Sequence, residues 1–564
     1  MRHCERLACG MALASLGVVA GGRQLVGQQV HGTVRDSTSR LAIAGAVVTT
    51  LDSSGRALQR SVSDEHGQYR IAAPAAARRL RIVRLGFRPV ETRLVESRAD
   101  LTEIDVVMAR IPYNLQQVRI TAAASCPRRS DARAALALLE QARAGLLATI
   151  VARSEKPAHM VRLAIERMMD GANDSIVRHQ VRRDSAASTP ASFAAARTAT
   201  DFVRRGFTVD SAGSRFYFGP DAEVLLDDGF ASGYCFRIMG ADRSRPHQVG
   251  LGFRAADRRR GRVDIDGALW IDTVARALVD IDFRYVGLDR QMDPFRPGGY
   301  ISFREMANGV VLIDRWFLRG VGARTDSVEE NGVRVAATAR SGSTTAQPAQ
   351  VLYAGETGGE LARATWSDGY TWRAPLGTLR LNIVTDRGDP GAGTVVRLDD
   401  TDYEATADST GHLEITELAP GPYSALIADT RLDPIGVTLA TSLTFVAARD
   451  STVEQRLAAK TAEKYVSDRC WEDLQDPRDG VWVIGRVTGP DGAPVDRVRW
   501  SAVSNGKVVK NAETGTDGIF VFCKGTRGAP VAFEFKRKGM ASGMTNRTMV
   551  DELTVIAVEM SPAP

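Results

Sequence analysis

The sequence predicts a mainly β, multidomain protein in which β-sandwiches flank a central antiparallel sheet with one helix. Three observations lead there. At 564 residues the chain is too long for one hydrophobic core. Short β-branched runs, each closed by Gly or Asp turn signals, occupy both ends. Between them, one segment with helical spacing precedes a long succession of alternating strands.

With 44% hydrophobic and 25% charged residues, the chain has the make-up of folded soluble protein. Its net charge is 73 − 67 = +6. The bases are nearly all arginine: of 8 lysines, 7 lie from Lys460 onward. A nucleic-acid groove gathers Arg, Lys and aromatics in one region. Here Arg is dispersed among acids, so no nucleic-acid partner is expected.

Residues 1–28 read as an export signal. Arg2, His3 and Arg6 precede the apolar run Leu7–Gly22, which ends on Ala20, Gly21 and Gly22. The run is short for a membrane span, and no later stretch of about 20 apolar residues follows. Cys9 sits too early in it for lipid attachment. Removal of the signal takes Cys4 and Cys9 and leaves Cys126, Cys235, Cys470 and Cys523, an even set in a chain bound for an oxidising compartment. Of the three pairings, Cys126–Cys235 with Cys470–Cys523 is favoured, because each pair then stays within one domain or its lead-in. No C-x-x-C spacing exists, which argues against a zinc knuckle or a thioredoxin-type site.

Residues 29–110 form the first expected sandwich. Val30–Val34 opens it and Ala44–Thr50 follows. Asp64-Glu65-His66-Gly67-Gln68-Tyr69 then carries a turn into a strand. Asp64 can accept bonds from the turn backbone, and Gly67 can take a positive φ. After a linker at 111–130, residues 131–350 hold the distinct middle. Ser130-Asp131 offers a cap for a helix running through Leu138, Leu139, Ala142, Leu146 and Ile150. Strands are expected at 161–165, 215–218, 224–226, 234–238, 249–253, 267–272, 278–285, 300–303 and 310–318. Short turns such as Asn308-Gly309 make them an antiparallel meander.

Residues 351–375 are expected to be a linker carrying an aromatic cluster, Trp366, Tyr370 and Trp372. Residues 376–460 hold a second, degenerate sandwich, whose turn is Asp408-Ser409-Thr410-Gly411. A charged linker at 461–480 leads to a third sandwich at 481–564, with the contracted turn Asp517-Gly518-Ile519-Phe520. Gly32 to Gly67 spans 35 residues and Gly485 to Gly518 spans 33, which marks a repeat. The alternation points Tyr69, Tyr423 and Phe520 into the core rather than at a ligand.

The pattern G-x-V, G-A-x-V, D-x-x-G-x-[YF] resembles the carboxypeptidase regulatory-like domain. That resemblance implies a transthyretin-like, Ig-like sandwich of about seven strands, and carbohydrate binding is an analogy at the level of that fold. In bacteria such modules often precede the plug of TonB-dependent outer-membrane receptors, and Leu115–Ala122 is similar to the segment that follows the module there. The barrel of those receptors is not expected, because too little chain after Ala122 alternates in long strands. Asp266–Asp272 with Ala277–Phe283 resembles the open half-barrels of periplasmic lipoprotein carriers. That resemblance implies a helix packed on a curved sheet around an apolar pocket, with a solid core as the alternative.

No catalytic signature emerges. His31, His66, His159, His179, His247 and His412 are followed three residues on by Val, Tyr, Arg, Arg, Gly and Ile, so the H-x-x-E pair of a metallocarboxypeptidase is missing. No H-E-x-x-H, G-x-S-x-G or phosphate loop occurs. Asp264 with Asp266, and Asp280 with Asp282, read as a solvated strand face, and Asp399-Asp400 with Asp402 as a turn. No catalytic residue, metal or cofactor is expected. The sequence reads as an exported, non-catalytic envelope protein, periplasmic or outer-membrane associated. It would bind or scaffold an envelope protein or a polysaccharide. The alternative is carriage of a lipid or other apolar ligand in the middle domain.

Overall fold

The computed structural model describes residues 28–94, 101–111, 129–170, 174–187, 197–211, 214–239, 242–256, 261–325, 327–330, 333–336, 350–385, 388–470, 481–549 and 551–563. The expected signal, Cys126 and Leu115–Ala122 lie outside them.

The architecture is mainly β, with several separate sheets and few helices. Three sandwiches share one topology, including the copy that looked degenerate. In the first, strand Gln28–Asp36 is central in its sheet. It pairs antiparallel with Gln68–Ala73 and parallel with Val106–Met108. In the second, Gly377–Val384 pairs likewise with His412–Leu418 and Thr452–Ala458. In the third, Val481–Thr488 does so with Ile519–Gly525 and Leu553–Glu559. A four-stranded antiparallel sheet closes each sandwich. Alternation makes the cores: Val30, Val34, Tyr69, Ile71, Leu80 and Ile82 meet in the first. Val483, Trp500, Phe520, Phe522, Phe533 and Phe535 do so in the third.

The middle domain is a ten-stranded antiparallel sheet. From one edge its strands run Ile176–Ala187, Ala158–Met169, Gln350–Trp366, Val311–Thr325, Gly298–Glu305, Ala277–Val286, Asp264–Asp272, Gln248–Ala255 and Tyr234–Ile238. Thr371–Arg373 pairs outside this order with Gln350–Trp366. Helix α1 (Arg129–Glu155) packs on one face. Its Ala134–Val151 stretch is apolar and long enough to cross a membrane by composition, and half of it is buried in the protein.

Four expectations are corrected. Residues 351–375 are no linker: Gln350–Trp366 is the longest strand of the sheet. Its run Gly355–Gly359 disguised it, because glycine signals a turn unless a neighbour needs the space. Here one does, since a Cβ on Gly358 would overlap the Phe317 ring and one on Gly359 would overlap Trp316. Residues 224–226 belong to helix α3 (Ala222–Leu226), because the Asp221 carboxylate caps it by accepting from the Val224 N–H at 2.8 Å. With α2 (Ala199–Arg205) and α4 (Asp228–Ser232), the described residues of the middle domain therefore hold four helices rather than one. Residues 461–480 include helix α5 (Ala462–Cys470). Asp264 and Asp280 are buried, not solvated, and are held by Arg262 at 3.0 Å and Arg245 at 2.8 Å. Trp366, Tyr370 and Trp372 pack with Met306 and Leu312 at the end of the central sheet.

The modules are docked, not strung on joints. Val47, Val62 and Leu85 of the first share a core with α1. The Arg84 guanidinium there donates twice to Glu305 at 2.7 Å. The second module covers the sheet face opposite α1, burying Val161, Leu163, Ile165 and Val181 against Leu379 and Tyr423. A disulfide joins Cys470 at the end of α5 to Cys523 of the third module, with Cα atoms 5.7 Å apart. Beside it Val466 and Trp482 are fully buried. Cys235 is also disulfide-bonded.

Candidate functional site

The repeated turns come first. Asp64 accepts from the His66 and Gln68 N–H groups at 2.9 and 2.8 Å. Asp408 accepts from the Thr410 and His412 N–H groups at 2.8 and 3.1 Å, and Asp517 from the Ile519 N–H at 3.0 Å. Gly67, Gly411 and Gly518 have φ of 73°, 77° and 71°, which β-carbon sterics disfavour. Each also sends its carbonyl to the N–H of the first strand, at Val34, Ile383 and Val487. The turns are thus structural staples. Tyr69, Tyr423 and Phe520 are buried. Burial pushes both tyrosine hydroxyls far up, and they donate to the Ile104 and Ala419 carbonyls. None of these residues lines either of the two cavities on the central sheet. Asp400 and Asp402 belong to the second module's contact with the sheet edge, where Asp402 accepts from the Arg183 N–H at 2.8 Å. Among the described residues no group of three His, Cys, Asp or Glu side chains has the geometry to hold a metal.

The concave feature lies on the α1 side of the central sheet. Cross-strand register sets its rows. Ile281, Ile301, Trp316, Gly359, Ala164 and Arg182 follow one another across five pairings. One step along the strands, Leu318, Thr357, Glu166 and Gln180 follow, then Gly320, Gly355, Met168 and Arg178. Over the first part of this face, α1 to α4 fill the space with Leu139, Leu146, Phe202, Phe207 and Phe230 against Leu251 and Ile281. At this end the space implied beneath the helix is filled by side chains. Beyond Trp316 the described helices reach the face only at the smaller of two cavities, of about 220 and 580 Å³, that lie on it.

The smaller cavity meets Thr149 of α1, Ala222 of α3, Arg162, Asp184, Trp316 and Gly359. The larger lies under the hairpin of strands Thr208–Ser211 and Ser214–Tyr217, and meets Phe216, Tyr217, Tyr353, Gly355, Glu166 and Gln180. Aromatic rings pack close on glycines along this floor: a Cβ on Gly320 would overlap Tyr217, and one on Gly322 would overlap Tyr353. Arg215 is tied to Asp210 by two bonds, at 2.6 and 2.8 Å, which raises its pKa. Sequence reasoning missed this trough. Its one legible signal is the spacing Gly320-x-Gly322 and Gly355-x-x-Gly358-Gly359 within long strands.

Charge is buried on the opposite face. Glu360 lies beneath the second module, paired with Arg449. Burial raises its pKa, and Arg449 opposes that. His179 is buried against the Tyr423 ring, 5.0 Å between centroids. Burial and the Arg167 charge lower its pKa to about 4. Asp280 is raised by burial and opposed by Arg245, which also lies 4.4 Å over the Trp270 ring.

Comparison with known proteins adds one assignment. Residues 29–109 match the family model of the carboxypeptidase regulatory-like domain. No curated protein matches the chain. Among solved structures, the TIE protein of Bacillus anthracis is 11% identical, over 62% of this chain and 64% of that one, with a TM-score of 0.16. The chain thus spans just under two thirds of that protein. The minor pilin GBS52 of Streptococcus agalactiae is 15% identical, over 33% of this chain and 97% of that one, at TM-score 0.14. The shaft pilin SpaA of Lactobacillus rhamnosus GG is 9% identical, over 34% and 98%, also at 0.14. At such scores nothing passes from those proteins to this one.

Proposed function

We propose that this protein is an exported, non-catalytic component of the bacterial cell envelope, and that its regulatory-like modules and central sheet serve binding or scaffolding. The observation that carries this reading is the docked repeat. Two of the three sandwiches share cores with the central sheet or its helix, the third is packed on the second and on α5, and the repeated motif residues are spent on turns and cores. The Cys470–Cys523 disulfide supports an oxidising compartment, and the apolar run 7–22 supports export. Sheet edges and loops are the surfaces such a frame offers to a partner.

The test is fractionation of a Gram-negative host expressing the full chain, with and without residues 1–28. Mass spectrometry should find a processed, oxidised chain in the periplasmic or outer-membrane fraction, and cross-linking should capture an envelope partner. A full-length, reduced chain confined to the cytoplasm would contradict the proposal.

A further inference from the structure

Resting on that binding reading, we propose that the open trough of the central sheet holds a linear oligosaccharide segment. The floor runs from Arg162 to Met168 along one strand, roughly 20 Å at the rise of a β-strand. It is shaped for a flat, extended ligand. Gly355 and Gly359 leave it low, while Tyr217, Tyr353 and Trp316 take the space that a Cβ would fill on Gly320, Gly322 and Gly359. Phe216 projects from the overhanging hairpin and is 53% exposed.

Aromatic rings along a cavity suit the apolar C–H faces of pyranoses. Sugar hydroxyls then need planar acceptors and donors, a carboxylate to accept and an amide to do both. The trough supplies them unspent: the Glu166 carboxylate and the Gln180 amide make no hydrogen bond or ion pair among the described residues. They lie side by side in cross-strand register. An acyl chain fits the same surface worse, since it would strip water from Glu166 and Gln180 and return no hydrogen bond.

The test uses the mature full chain and three probes: the hexasaccharides of β-1,4-linked glucose, β-1,4-linked N-acetylglucosamine and α-1,4-linked glucose. Titration calorimetry and saturation-transfer NMR read the binding. At least one hexasaccharide should bind with micromolar to millimolar Kd. Phe216→Ala and Gln180→Ala should each weaken it about tenfold. Gly355→Leu should abolish it while leaving the thermal transition in place, because a Cβ there meets nothing nearer than 3.5 Å. No binding of any of the three, or binding unchanged in both Phe216→Ala and Gly355→Leu, would overturn the proposal. So would tight uptake of a dansylated fatty acid that Gly355→Leu blocks and no hexasaccharide displaces. None of these outcomes touches the envelope reading, which the fractionation tests by itself.

Discussion

The two halves of the helix-side face of the central sheet obey the same strand alternation and end differently. Over 234–303 that face carries Phe236, Leu251, Phe253, Ile265, Leu269 and Ile281, and α1 to α4 seal it. Over 158–187 and 350–366 it carries Ala164, Glu166, Thr357, Gly355 and Gly359, and the described helices reach it only at the cavity beside Thr149 and Ala222. The reverse holds on the other face. There Leu163, Ile165 and Val181 lie under the second module, while Asp280, Asp282 and Trp270 sit beneath the Arg245 loop. Two packing partners thus cover the sheet on a diagonal. A strand that buries one face leaves small or polar residues on the other, and the trough lies on that leftover face.

The sealed half should break hardest. Phe230 is 1% exposed and stacks on Tyr234 at 4.3 Å between centroids. Phe230→Ala should cost about 3–5 kcal/mol in urea unfolding, from lost burial plus the cavity left behind. On the diagonal opposite, Arg245→Ala strands a buried Asp280 carboxylate and should cost about 3 kcal/mol. Asp280→Asn in the same background should recover part of that loss.

The strands and the trough were not equally legible in the sequence. Strands at 234–238, 249–253, 278–285 and 300–303 could be read because apolar residues alternate on one face at period 2. The turn residues Asp64, Gly67, Asp517 and Gly518 could be read because their chemistry is local. The strand Gln350–Trp366 could not, since its glycines are explained only by the Trp316 and Phe317 rings on a partner about 40 residues away. Helix α3 depends on one cap, at Asp221, and is too short to show a period. Burial of Asp264 and Asp280 depends on arginines that alternation does not reveal.

The junction of sheet and second module should respond to pH. Folded His179 holds its proton only below about 4, whereas in the unfolded chain it titrates near its ordinary 6.5. Between these values the unfolded state binds more protons, so this contribution is complete above about 6.5 and is lost as pH falls toward 4. It amounts to at most about 3 kcal/mol. His179→Gln should flatten the pH dependence of the midpoint over that window, and an unchanged slope would contradict the assignment. The smallest effect belongs to the trough. Gly355→Leu should shift stability by less than about 1 kcal/mol, whereas Gly359→Leu, which collides with Trp316, should cost about 2–3 kcal/mol.

Paired cysteine labelling tests the diagonal most directly. Ala164 and Ile165 are neighbours in one strand, the first exposed in the trough and the second 1% exposed under the second module. In the oxidised chain, Ala164→Cys should react with a maleimide at the rate of a free surface thiol. Ile165→Cys should stay protected until urea unfolds the protein. Equal rates for the two thiols under native conditions would contradict the account.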